Sequence, residues 1–191
     1  MACQWVSLGR SMRATGVDLD AAVLDWGRRR NVARLKPSAQ ARLDLLQADV
    51  TRVRATGFDA VAAFNFSYWI FKTRAQMLQY FRRVRRSLVK DGIFFLDAYG
   101  GYDAYRELRE PTAHRGFTYV WHGSRIDKAF TYDWRLWSLP ELTELLTEAG
   151  FTRTTVWWEG TAKDGRGNGE FSPETRGEAD AGWVAYLVAE C

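Results

Sequence analysis

Two acids and an amide stand where a parallel sheet would present them to a ligand. Asp18 closes the segment Ala14-Thr15-Gly16-Val17-Asp18, Asp49 closes Arg42 to Ala48, and Asn65 follows a near-continuous apolar run from Phe58. The carboxyl ends of successive parallel strands border the crevice where open α/β sheets bind ligands. A carboxylate at one such end can accept hydrogen bonds from both hydroxyls of a ribose. A second carboxylate, followed by an apolar residue such as Val50, suits an adenine edge, because it accepts from the exocyclic amine while the next backbone N–H donates to a ring nitrogen.

The elements that must position these residues follow from hydrophobic spacing. Residues 3 to 11 read as the end of a helix, 13 to 18 as a strand, and Ala21 to Gly27 as a helix capped by Asp20. Strands are expected over 42 to 50 and 58 to 66, the latter with the apolar continuity of a strand covered on both faces. Asp59 reads as a loop acid at its start. Arg74 to Val89 carries Met77, Phe81, Val84 and Leu88 on one helical face; Asp91-Gly92 stops it, and Ile93 to Asp97 follows as a strand. Residues 130 to 137 alternate and look extended. Ser138-Leu139-Pro140-Glu141 is a capping box opening a helix with Leu142, Leu145, Leu146 and Ala149 buried, which Gly150 ends. Strands are expected from Phe151 to Trp158 and from Trp183 to Val188, with a loop of six glycines over 159 to 182. The βαβ order predicts an α/β fold with a doubly wound, mostly parallel sheet and an antiparallel C-terminal strand.

The chain has 191 residues, 47% of them hydrophobic and 26% charged, which suits one globular domain over 1–191. Its 27 basic residues only slightly exceed the 23 acidic ones, giving a net charge of +4. Nucleic acid is therefore not an expected partner, and the arginines at 28 to 30 and 82 to 86 read as solvated helix faces. Cys3 and Cys191 show no metal or disulfide spacing, and no run of about 18 apolar residues occurs. These features predict a cytoplasmic protein with no membrane span. His114 and His122 lack metal partners at ligand spacing, so no metal site is expected. Tyr68, Tyr99 and Tyr132, with some of the nine tryptophans, could line an aromatic wall that also favours a sulfonium cation.

The ordered series Gly16 to Asp20, Ala48-Asp49-Val50, Phe58 to Tyr68, Leu88 to Asp97 and Leu142 to Phe151, with Glu148-Ala149-Gly150-Phe151, resembles the class I S-adenosylmethionine-dependent methyltransferase family over nearly the whole chain. The resemblance implies a Rossmann-like fold, S-adenosylmethionine as cofactor and methylation of a small-molecule acceptor. It also implies that Asp18 with Leu19 binds the ribose, Asp49 with Val50 binds adenine, and Asn65 with Phe66 lines the methionine end. Tyr68 and Tyr132 are the candidates for orienting the acceptor. No catalytic base is identified, since in-line transfer to an acceptor that is already nucleophilic relies on orientation.

One motif of the family is not found. Its first strand and glycine-rich turn should lie about 20 residues ahead of the ribose acid, yet the single glycine ahead of Ala14 is Gly9. The expectation is a chain that begins inside its first helix, with a sheet lacking its central strand and a tendency to self-associate through the open edges. A non-catalytic remnant or binding subunit is the alternative function. An aminopropyl transferase or nicotinamide enzyme has no glycine fingerprint to support it.

Overall fold

The computed structural model describes residues 1–107, 132–163, 165 and 167–191. Its contacts divide into two compact units, Met1–Ala55 and Thr56–Cys191, each with its own sheet.

The first unit contains α1 (Ala2–Leu8), β1 (Ala14–Asp18), α2 (Ala21–Arg30), the short α3 (Pro37–Gln40) and β2 (Leu43–Gln47). β1 and β2 pair in parallel, with Ala14 opposite Leu43 and Asp18 opposite Gln47. Val6, Ala39 and Leu43 form a small core, with Ala14, Val32, Leu35 and Leu45 packed against it. Asp20 starts α2 by accepting the Ala22 N–H at 2.7 Å, which satisfies a backbone donor that the first turn would otherwise leave unpaired.

The second unit contains β3 (Phe58–Ala63), α4 (Arg74–Ser87), β4 (Leu88–Gly100), α5 (Leu139–Ala149), β5 (Arg153–Thr161), β6 (Gly167–Pro173) and β7 (Trp183–Glu190). The strand order is β3-β4-β7-β5-β6. β3 and β4 are parallel, whereas β7 runs antiparallel to both β4 and β5, as expected of the C-terminal strand. Phe94, Leu96 and Ala98 on β4 and Ala185, Leu187 and Ala189 on β7 are fully buried. They share one face of the sheet, because side chains alternate along each strand and the register sets Leu96 beside Leu187. Phe81 on α4 reaches Phe94 with ring centroids 5.9 Å apart, and Phe94 stacks on Phe151 at 6.0 Å. The opposite face carries half-buried Tyr99 and Tyr186 and, unusually, the buried carboxylate of Asp97.

Both long helices are capped by reciprocal hydrogen bonds, Thr73 with Gln76 on α4 and Ser138 with Glu141 on α5. The first of these boxes is not in the sequence expectation. Gly150 ends α5 at φ 101°, a left-handed conformation that glycine adopts without a Cβ penalty. Arg82 and Arg85 do more than face solvent. Arg82 pairs with Glu148 at 3.8 Å, and Arg85 Nε donates to the Gly150 carbonyl at 3.1 Å, so both tie α4 to the end of α5.

Several expected boundaries shift. α4 ends at Ser87, and Leu88 already pairs with Phe58, so Asp91-Gly92 lies within β4 instead of ending a helix. Asp59 belongs to β3. The glycine-rich stretch after β5 folds back as β6, making a hairpin in which the Glu159 carboxylate accepts the Gly169 N–H at 2.9 Å. Gly165, at φ 82°, lies between the two strands, and Gly169, at φ 77°, lies within β6 where the ladder register shifts. Residues 132 to 138 join no strand ladder and are anchored instead by Arg135 N–H on the Trp69 carbonyl and Trp137 Nε1 on the Phe71 carbonyl. His114, His122 and the start of the 130 to 137 stretch lie outside the described residues.

Among the described residues β1 pairs only with β2, and β3 only with β4, so each leaves one edge without a strand neighbour. No helix among them is long and apolar enough to cross a membrane, and no three of their His, Cys, Asp and Glu side chains cluster as metal ligands.

Candidate functional site

In the first unit the parallel register brings two predicted residues to one end. The Asp18 carbonyl accepts the Ala48 N–H at 3.0 Å, just beyond the last paired strand residues, and Asp49 follows directly. Asp18 and Asp49 thus leave β1 and β2 at their common carboxyl end. Asp18 Oδ1 accepts the Asp20 N–H at 2.9 Å; its second oxygen has no hydrogen bond among the described residues. Leu19, next in sequence, is 71% exposed. Asp18 and Val17 also border an open groove of about 660 Å³, together with Gly27, Asn31 and Leu45.

Asp49 is more committed. Its Oδ1 accepts both the N–H and the hydroxyl of Thr51, at 2.8 and 2.7 Å, while Oδ2 lies 3.5 Å from the largely exposed Arg52. The Asp49 carbonyl meanwhile accepts from Arg52 and Val53, making a compact turn after β2. The Thr51 hydroxyl and N–H favour the ionised form and hold this carboxyl below its usual range, with Arg52 adding to the effect. Val50 is half-buried.

In the second unit the predicted pair Asn65 and Phe66 follows β3 in an uncommon backbone state. Both have positive φ, 58° and 53°, the only described residues other than glycine to do so. Asparagine tolerates this region, but phenylalanine does not, and such strain costs about 1–3 kcal/mol per residue. What holds the turn is Asp97, near the end of β4. Its Oδ2 accepts the Asn65 N–H at 2.7 Å and its Oδ1 accepts the Phe66 N–H at 3.0 Å. Hydrogen bonds to a charged acceptor contribute about 1.5–3 kcal/mol each, enough to offset the strain. Asp97 is 7% exposed. Burial pushes its carboxyl upward in pKa, while the Phe66 and Asn65 amides pull it back. Sequence reasoning gives Asp97 no role beyond ending a strand. The signal was an acid placed directly after the apolar run Ile93-Phe94-Phe95-Leu96.

Phe66 opens an aromatic cluster. Its ring lies 5.0 Å from Trp69, 6.1 Å from Tyr99 and 6.4 Å from Trp134, and the Tyr132 ring packs at a tilt against Trp134 with centroids 4.3 Å apart. The two candidate acceptor tyrosines differ sharply. Tyr132 is 63% exposed at the edge of this cluster, whereas Tyr68 is 1% exposed and donates its hydroxyl to the Asp97 carbonyl. Burial also raises the Tyr68 phenol, keeping it protonated.

Comparison with known proteins bears on the family and the fold. The family model of the methyltransferase domain matches residues 1–96. None of the curated proteins matches. Among solved structures, the glycopeptide N-methyltransferase MtfA in complex with S-adenosyl-L-homocysteine is 18% identical, with a TM-score of 0.66 and coverage of 100% of this chain and 77% of that one. A SAM-dependent methyltransferase from Methanosarcina mazei is 14% identical, at TM-score 0.61, covering 100% of this chain and 86% of its own. A proposed O-methyltransferase from Nostoc punctiforme PCC 73102 is 15% identical, at TM-score 0.61 over 99% of this chain; the chain spans 47% of its length. At these identities the likeness is one of fold, and that fold is the Rossmann-like α/β fold of methyltransferases. The match across residues 1–96 establishes more: the chain belongs to the methyltransferase-domain family.

Proposed function

We propose that this chain, acting as one methyltransferase-like domain over 1–191, binds S-adenosylmethionine and transfers its methyl group to a small-molecule acceptor in the cytoplasm. The observation that carries this reading is the exit of Asp18 and Asp49 at the same end of two paired parallel strands. The acceptor set suits a nucleoside. Asp18 keeps an oxygen without a hydrogen bond among the described residues, available to a vicinal diol, and Oδ2 of Asp49 has only a long contact to an exposed arginine. Asp18 with Leu19 takes the ribose, Asp49 with the Val50 N–H takes adenine, and Asn65 with Phe66 takes the methionine end.

The cofactor supplies an electrophilic methyl on a positively charged sulfur. The protein's part is to bind and orient, and fixing two reactants in an attack geometry can contribute about 7–11 kcal/mol. Aromatic faces such as Phe66 and Trp134 favour a cation nearby. Tyr132 is the tyrosine with surface to offer an acceptor; Tyr68, with its donor committed, supports the turn from below.

The direct test follows tritiated methyl from S-adenosylmethionine onto a panel of small amines, phenols and carboxylates. Transfer to at least one acceptor, with release of S-adenosylhomocysteine, is expected; absence of both transfer and S-adenosylhomocysteine binding would overturn the reading. We further propose self-association through the open edges of β1 or β3, since an unpaired strand edge is a template for another strand. Light scattering should show mass rising with concentration, and a constant monomer mass would contradict it.

A further inference from the structure

We infer that Asp97 is a positioning residue for the methionine end of the cofactor site: its buried carboxylate holds Asn65 and Phe66 in the left-handed conformation in which they meet the ligand. This inference rests on the function proposed above.

The geometry is specific. Two consecutive N–H groups converge on the two oxygens of one side chain, at 2.7 and 3.0 Å, across the junction between parallel neighbours β3 and β4. Those N–H groups belong to the only two described residues other than glycine with positive φ. Without a common acceptor the pair would relax to negative φ, which reorients the exposed Asn65 side chain and withdraws the Phe66 ring from Trp69 and Trp134. Asp97 is itself fixed from behind, because its carbonyl accepts the hydroxyl of the fully buried Tyr68. The carboxylate therefore acts through the turn. An amide at the same position could offer only one acceptor oxygen and would set an NH2 group against the other N–H.

The test is Asp97→Asn, read by S-adenosylhomocysteine titration of the folded protein and by the amide proton shifts of Asn65 and Phe66. The expected result is at least tenfold weaker binding, together with loss of the downfield amide positions that hydrogen bonds to a carboxylate produce. Leu146→Ala, a buried α5 position away from the turn, should lose stability while keeping its affinity, which separates positioning from general support of the fold. Asp97→Asn binding as tightly as wild type, or leaving both amides in place, would overturn the inference. Should that variant not fold, amide exchange in the wild-type protein decides. The Asn65 and Phe66 amides must be protected and must shift when S-adenosylhomocysteine is added; unprotected exchange or no shift would overturn the inference equally. If wild type does not bind S-adenosylhomocysteine, the proposed function fails first and this inference falls with it.

Discussion

The main-chain carbonyl of Asp18 accepts the N–H of Ala48, which carries the β1–β2 ladder one step past Gln47 and sets Asp49 directly beyond it. A slip of one residue in this parallel pairing would turn the side chains of β2 to the opposite face. The relationship of the two acids is thus fixed by the strand register as well as by the loops that follow.

Asp20 lies two residues from Asp18 but has a different task, capping α2 through the Ala22 N–H. Asp20→Ala should cost about 1 kcal/mol of stability and leave S-adenosylhomocysteine affinity unchanged. Denaturant melts and titration calorimetry check the two halves of this statement separately. A large loss of affinity would mean that Asp20, not Asp18, addresses the ligand.

Asp49 makes a signed prediction for pH. Its folded pKa lies below the ordinary 3.8, chiefly because of the Thr51 hydroxyl and N–H. The ionised form is therefore favoured by folding, and the resulting stabilisation is present above 3.8 and lost as pH falls through the folded value. With the side chain 41% exposed, solvent screens much of the effect. A carboxyl NMR titration should place the Asp49 midpoint below 3.8, and Thr51→Val should move it upward. An unmoved midpoint in that variant would remove Thr51 as the cause.

The α5 cap offers a test of fold stability alone. Ser138→Ala removes the hydroxyl that accepts the Glu141 N–H and leaves the Ser138 N–H bond to Glu141 intact. The expected cost is about 1 kcal/mol, which for a chain of this size corresponds to a melting temperature lower by roughly 2–4 °C. Thermal melts followed by circular dichroism measure it, and an unchanged midpoint would show that the cap adds nothing.

Gly101 combines a φ of 119° with a backbone crossing so close that an added Cβ would strike the Ala181 carbonyl. Neither problem can be relieved by moving a flexible side chain. Gly101→Ala should destabilise the protein by about 2–4 kcal/mol, from strain plus overpacking. Denaturation midpoints within experimental error of wild type would contradict this.

The sequence made legible what depends on periodicity and on strong local signals. The α4 and α5 faces, the Ser138 box, the Gly150 stop, the Asp20 cap and the antiparallel last strand can all be read in this way. The β5–β6 hairpin was hidden because its strand has little apolar alternation and is defined by pairing with Trp157 to Thr161, a non-local fact. The Leu88 boundary was misread for a related reason. Leu88 continues the helical apolar spacing of α4, yet pairing with Phe58 claims it for β4. Asp18 and Asp49 stood out as acids at strand ends. The role of Asp97 did not, since the two amides it holds lie 32 and 31 residues away in sequence and become its neighbours only when β3 pairs with β4.

The most direct test of the account is calorimetric titration of S-adenosylhomocysteine into wild type and Asp18→Ala, with matched melting curves. Wild type is expected to bind, and the variant, still folded, to bind more weakly by about 1.5–3 kcal/mol, the contribution of hydrogen bonds from the ribose hydroxyls to a charged acceptor. Equal affinity in the two proteins, or no binding to wild type, would contradict it.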